Sequence, residues 1–290
     1  MKLKIFNNTI FIMYFFILAT IFSCTLFEPV SPIASYIHID TISIKTDYAT
    51  QGSHSNKITD AWVLYDNKYL GTFPLPADIP LIGEGAHNIT IRAGILENGI
   101  LSTRTSYPKY TSFDTSVVLS VKEKTNFSPV VTYGSGVNFP QIEDFDDASL
   151  SLITTSSGTA PLVITPPSDP NSFEGNSGNV TLDENHPVFE VASSGAFLLP
   201  LNTPSFVELN YKGDNDFTIG VFVTTSNGII KKYLLSVRAS STWKKIYVTL
   251  SALLGDAMSN GLDYKIYLHA DKNPLLSSAN IYFDNLKVVY

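Results

Sequence analysis

The sequence predicts an all-β protein of two domains, an immunoglobulin-like sandwich followed by a jelly-roll sandwich. Three observations carry this. Apolar and polar residues alternate with a period of two through most of the chain. The alternating runs are short and rich in β-branched and aromatic residues. Polar turn clusters separate them: Asp66-Asn67, Glu97-Asn98-Gly99, Gly213-Asp214-Asn215-Asp216 and Ser226-Asn227-Gly228.

The first element is no part of either sandwich. Residues 1–23 begin with Lys2 and Lys4, continue through an apolar run at 10–22, and end in Ile21-Phe22-Ser23 before Cys24, the only cysteine of the 290 residues. The run is shorter than the roughly 20 residues of a membrane-spanning helix and has the layout of a signal peptide. Residues 24–35 then read as a tether.

Residues 36–125 are long enough for one sandwich of immunoglobulin size. Its strands are marked by Ile37, Ile39, Ile42 and Ile44, by Ala61, Val63 and Tyr65, by Ile89 and Ile91, and by Val117, Leu119 and Val121. Residues 126–140 (NFSPVVTYGSGVNFP) carry proline, glycine and serine and read as a linker. Residues 141–290 are long enough for an eight-stranded jelly roll. Here Val207, Leu209 and Tyr211, then Ile219, Val221 and Val223, then Tyr264, Ile266 and Leu268 keep the same alternation. Residues 154–185 are polar and turn-rich, so loops should outweigh strands there. A short helical turn is expected over residues 250–258.

Composition excludes several function classes. The chain has 19 basic and 26 acidic residues, a net charge of −7; loss of Lys2 and Lys4 with the signal leaves 17 basic residues and a net charge of −9. That argues against nucleic acid and against an anionic membrane surface as partners. Beyond Cys24 there is no thiol for disulfides, thiolate metal sites or cysteine catalysis. The five histidines (His38, His54, His87, His186 and His269) form no two-histidine metal spacing. Gly175-Asn176-Ser177-Gly178-Asn179 has no partner histidine at a recognisable spacing and reads as a turn rather than a serine nucleophile. Within Glu143-Asp144-Phe145-Asp146-Asp147, neighbours point to opposite faces of a strand, so they cannot by themselves supply the paired carboxylates of a glycosidase.

The alternation also nominates a ligand surface. If the apolar face of each jelly-roll strand is core, Phe222, Lys232, Tyr247, Tyr267, His269 and Tyr282 fall on the opposite faces. Aromatic faces stack on the C–H faces of sugars while polar neighbours bond to hydroxyls, so a polysaccharide is the expected partner of such a platform. Packing against the first domain is the other use for the same side chains. Trp62 and Trp243 read as core or rim packing.

Four resemblances add to this. Ile21-Phe22-Ser23-Cys24 resembles a bacterial lipobox, which implies cleavage before Cys24, acylation of the cysteine and anchoring in a lipid bilayer. The segments IEDFDD, SFEGNSG, PSFVELNYKGDNDFTIGVFV, STWKKIYVTLSALL and ANIYFDNLKVVY, in that order, resemble a jelly roll of the carbohydrate-binding-module, or galactose-binding-like, type. That resemblance implies a structural calcium ion near the chain ends, for which Asp146, Glu174 and Asp284 are the candidate ligands; plain solvated charges are the alternative. No other cofactor is expected.

The first domain, through DAWVLYDNKYLGTFPLPADIPL and EGAHNITIRAGILENGILSTRTSYPKY, looks like an accessory domain of Bacteroidota envelope lipoproteins. Asp40-Thr41-Ile42 resembles the O-glycosylation site of that group, with Thr41 as acceptor. The expected location is thus the outer membrane, facing the periplasm or the cell surface. The single acid in Thr25-Leu26-Phe27-Glu28 is fewer than surface-export signals of that group carry. The expected function is non-catalytic glycan binding. The alternatives are a structural or protein-docking subunit of an envelope assembly, and a hydrolase.

Overall fold

The structure is a computed structural model and describes residues 33–200, 202–250 and 262–290. The signal segment, Cys24 and nearly all of the helical turn expected at 250–258 lie outside the described residues.

The first sandwich starts with β1 (Ser35–Ile39), β2 (Ser43–Lys45) and the one-turn helix α1 (Tyr48–Gln51). It continues through β3 (Asp60–Tyr65), β4 (Lys68–Pro74), β5 (Ala77–Leu81), β6 (Gly85–Leu96), β7 (Arg104–Ser106) and β8 (Phe113–Leu119). One sheet has the order β4-β3-β6-β7, with β8 also paired to β6. β3 and β4 are joined by Asp66-Asn67, both at positive φ (48° and 62°), the conformation of a tight two-residue hairpin whose twist matches its strands. Opposite this sheet, β1 pairs with β5. Ile37, Ile39, Ile42, Ile44, Ala61, Val63, Ile89 and Ile91 are all buried, as alternation requires; a fully buried side chain of this kind contributes roughly 1.5–3 kcal/mol through burial.

The expected linker proves shorter. β9 (Lys124–Phe127) runs parallel to β1, and β10 (Val130–Thr132) runs parallel to β2. Pro129, which suggested a break, lies between the two strands. There its missing N–H costs no ladder bond, while its carbonyl accepts from Ser43 N at 3.0 Å. Residues 124–132 therefore close the first sandwich.

Among the described residues the jelly roll has eleven strands: β11 (Gln141–Glu143), β12 (Leu152–Thr154), β13 (Val163–Thr165), β14 (Ser177–Leu182), β15 (Val188–Ser193), β16 (Phe206–Gly213), β17 (Phe217–Thr225), β18 (Gly228–Val237), β19 (Ser240–Thr249), β20 (Asp263–Asp271) and β21 (Ala279–Val289). They form two sheets, β13-β14-β21-β16-β19 with β11 on β21, and β12-β15-β20-β17-β18. The closing strand β21 is buried along nearly its whole length. Phe189, Val191, Ile219, Val221, Leu268, Ile281, Phe283 and Val288 are among the side chains that fill the space between the sheets.

The two sandwiches share a core. Phe206, Tyr247 and Val289, on the outer face of the β16-β19-β21 side, pack with Tyr107, Tyr110 and Tyr133 of the first domain. Tyr107 and Tyr247 ring centroids are 5.0 Å apart, and those of Tyr107 and Phe206 4.9 Å. The backbone joins in, Asn98 N donating to Tyr247 O at 2.8 Å.

Candidate functional site

The side chains nominated by alternation do not form one surface. Phe222, Tyr267 and His269 come together on the outer face of the β12-β15-β20-β17-β18 sheet. Cross-strand pairing sets them in rows: Ala192, Tyr267, Gly220 and Tyr233 in one, Glu190, His269 and Thr218 beside it, Lys265, Phe222 and Lys231 on the other side.

Lys232 is not among them. It pairs with Val221, a core residue, and so occupies the inner-face phase of edge strand β18, whereas Lys231 pairs with Phe222. The register shifts between Ile219 and Gly220, opposite Leu234, and the extra residue reverses the phase of everything before it. Counting back from Val237 without that bulge selects Lys232; Lys231 and Tyr233 are the residues that face outward.

Tyr247 and Tyr282 lie on the other sheet. Tyr247 does fall opposite the core of its own sheet, as expected, but it is 1% exposed because the first sandwich covers it. Its hydroxyl accepts from Lys57 N at 3.1 Å and lies 3.3 Å from the Tyr110 hydroxyl. Tyr282, opposite Lys212 and Asn179, carries the Lys212 ammonium 5.7 Å from its ring. Neither can share a ligand surface with Phe222.

On the Phe222 face the geometry is tight. Phe222 and Tyr267 rings lie 5.0 Å apart, and the Lys231 ammonium sits over both, 5.8 Å and 4.8 Å from their centroids. Tyr267 is 3% exposed, so it is a wall under Lys231 rather than an open platform. Its ring lies across Gly220, where any Cβ would stand inside the ring's van der Waals envelope. Tyr233, across β18, is the most open aromatic of the face at 62% exposed.

Lys231 also pairs with the buried carboxylate of Glu190, which accepts from Thr155 Oγ1 at 2.7 Å and lies 3.0 Å from His269 Nδ1. Burial pushes the Glu190 carboxyl up, but Lys231 and Thr155 more than offset this and hold it below the ordinary range. Burial, with the Glu190 charge, pushes the Tyr267 hydroxyl up. A groove of about 280 Å³ continues from Phe222 towards β12, walled by Ile153 and Ile229 and bordered by Lys265 and Thr155. Ser193 Oγ lines it, buried and without a hydrogen-bond partner.

The three candidate calcium ligands do converge. Glu174 N lies 3.3 Å from Asp284 Oδ2, Asn176 N donates to Asp146 Oδ1 at 2.7 Å, and Asn285 Nδ2 donates to Glu174 Oε2 at 3.2 Å. Each also accepts from a neighbour: Ser177 and Asn285 N donate to Asp284, Ser53 to Glu174, and Tyr48 to Asp146. Burial pushes the Asp284 carboxyl up to about 7, which favours its neutral form. Calcium needs six to eight oxygens, and among the described residues no group of three or more His, Cys, Asp or Glu side chains is placed to hold a metal ion. As arranged, the three carboxyl groups are members of a hydrogen-bond network and do not fit a calcium cage. Thr41 is exposed between β1 and β2.

No family model matches the chain, and no curated protein does. Solved structures of similar shape include carbohydrate-binding modules. The CBM22-1 and GH10 modules of Clostridium thermocellum endo-1,4-beta-D-xylanase 10B, complexed with xylohexaose, align at 11% identity and a TM-score of 0.39; the match covers 52% of this chain and 28% of that one. The family 11 module of the same organism, complexed with a mixed-linked tetrasaccharide, aligns at 17% identity and a TM-score of 0.35, covering 51% of this chain and 94% of the module. A structure described as a basis for promiscuous specificity in modules of the β-sandwich superfamily covers 90% of this chain and 99% of its own, at 12% identity and a TM-score of 0.39. At these identities and scores, the functional reading rests on the chain's own residues.

Proposed function

We propose that the protein is a non-catalytic, lipid-anchored protein of a bacterial outer membrane that recognises glycan on the outer face of its second jelly-roll sheet. The observation that carries the glycan reading is the Phe222 face itself. The partly exposed Phe222 ring borders a groove with apolar walls, Tyr233 stands open on the same sheet face, and Lys231, Lys265, Thr155 and the unpartnered Ser193 supply polar groups beside the ring. This is the mixture of apolar wall and few placed polar groups that a sugar requires. Support for the anchor comes from the charged, apolar and Ile-Phe-Ser-Cys succession ending at Cys24. The bilayer is thus one partner, reached through acyl chains such as palmitate, and polysaccharide the other. The protein then faces the periplasm or the cell surface.

Screening the purified protein against a broad glycan array tests this. Binding is expected, and Phe222→Ala or Tyr233→Ala should weaken it about tenfold, the factor that corresponds to about 1.4 kcal/mol. Absence of binding across the array, or unchanged binding in both variants, overturns the reading.

A second reading, a structural or protein-docking subunit of an envelope assembly, is favoured by the burial of Tyr247 beneath the first sandwich. It predicts co-purification with a defined envelope protein that survives Phe222→Ala.

A further inference from the structure

A second groove, of about 530 Å³, runs along the seam between the sandwiches. That volume falls within the range of about 300–1,000 Å³ typical of small-molecule sites. One wall is aromatic: Trp243 of β19 and Phe173 lie with centroids 5.2 Å apart and planes tilted by 45°. Trp243 Nε1 donates to Asn171 O at 3.1 Å, which fixes the indole plane. Ser55 of the first sandwich and Asn210 of the second hydrogen-bond each other at 2.9 Å and present amide and hydroxyl groups to the same space.

The charge of this groove is one-sided. Lys57, Lys244 and Lys245 line it and no carboxylate does, although the chain as a whole carries a net charge of −7. Lys245 differs from the other two. Its side chain is 2% exposed, and its Nζ lies 3.1 Å from Glu208 Oε2, but it makes no hydrogen bond in acceptable geometry. Glu208 Oε1 already accepts from Tyr107 and Tyr133. Lys245 is thus committed to Glu208, and the exposed Lys57 and Lys244 are the cations that favour a ligand bringing anionic oxygens.

We infer that the interdomain groove binds an acidic saccharide, a stretch of pyranose units bearing ring carboxylates. Trp243 and Phe173 offer flat faces for the sugar C–H surfaces, Ser55 and Asn210 meet hydroxyls, and Lys57 and Lys244 meet carboxylate. A neutral sugar would leave the exposed Lys57 and Lys244 without a counter-charge. The site exists only where the two sandwiches meet, since Ser55 and Lys57 come from one and Trp243 and Lys245 from the other. It lies on the opposite sheet from the Phe222 face and stands independently of it.

Calorimetric titration of the purified protein with tetragalacturonate, tetramannuronate and uncharged cellotetraose tests the inference. At least one acidic tetrasaccharide should bind about tenfold or more tighter than cellotetraose, and its affinity should fall steeply with added salt. Trp243→Ala should abolish that binding. So should the paired change Lys57→Glu with Lys244→Glu, which alters only exposed side chains and should leave the circular dichroism spectrum unchanged. Phe222→Ala and Tyr233→Ala should have no effect on it. Equal binding of neutral and acidic chains, no binding of either acidic chain, or acidic binding lost with Phe222→Ala but kept with Trp243→Ala overturns the inference.

Discussion

The Tyr107 hydroxyl donates to Glu208 Oε1 at 2.8 Å across the boundary between the two sandwiches. Glu208 is fully buried, and Tyr133 donates to the same oxygen at 2.9 Å. Burial pushes this carboxyl up, but the Lys245 and Lys287 ammonium groups and the Tyr107 hydroxyl outweigh it, and the group stays below the usual carboxylate range. A buried carboxylate shared by side chains of both domains couples their stabilities.

Removing that carboxylate should therefore be costly. Glu208→Ala leaves two buried lysines without their counter-charge and should destabilise the protein by about 3–5 kcal/mol. Tyr107→Phe removes one donor to a charged acceptor and should cost about 1.5–3 kcal/mol. Urea unfolding measures both. A loss under 0.5 kcal/mol for Glu208→Ala would mean that the interface is wet and open in solution.

Lys287 makes stability depend on pH. Its ammonium is buried and donates to Ser53 O at 2.6 Å, and burial pushes its pKa down to about 7. An unfolded lysine holds its proton to about 10.4. Between these values the unfolded chain binds more protons on this group, so stability should rise as pH climbs from about 7 to about 9. Above that the buried Tyr107, Tyr110, Tyr133 and Tyr247, whose hydroxyls burial pushes up, reverse the slope, because the unfolded tyrosines ionise first. Urea midpoints at pH 7, 8 and 9 should increase in that order, and Lys287→Met should flatten the series. A flat series in the parent protein contradicts the prediction.

Gly220 has no room for a side chain. Gly220→Ala drives a methyl into the Tyr267 ring and should cost about 1–3 kcal/mol through overpacking. Because the displaced ring carries Lys231 above it, glycan binding at the Phe222 face should fall along with thermal stability. A variant that melts and binds like its parent would show that Tyr267 swings away freely.

Cys24→Ala should move the protein from the membrane to the soluble fraction, read by fractionation and immunoblot. Continued membrane association would remove the basis for an acyl anchor at this position.

Much of the fold was legible in the chain. The strands marked by Ile37 and Ile39, by Ile219, Val221 and Val223, and by Ile266 and Leu268 bury those residues, because a period of two is a local property of an extended backbone. The Asp66-Asn67 turn was likewise visible from two residues. Less legible was the segment 126–132, where proline and serine suggested a linker although two short strands close the first sandwich.

The site was legible only in part. Phe222, Tyr267 and His269 were identified from alternation and share one face. Lys231 and Tyr233 were missed because a single extra residue at Leu234 reverses the phase of β18, and nothing in Lys-Lys-Tyr-Leu-Leu marks which leucine is extra. The groove beside Trp243 was missed as well, since part of its lining, residues 55–57 with Leu96 and Gly99, lies far from β19 in the chain.

By itself, then, the sequence determined the all-β class, the two-domain order and the inward face of most strands. Those depend on neighbours one to three residues apart. Only the tertiary structure decided which sheet each strand joins, that Tyr247 is covered and Tyr282 stands apart, and where lysines gather. Those depend on contacts such as Tyr107 with Glu208, 101 residues distant, whose energy exists only once both sandwiches have folded and excluded water between them.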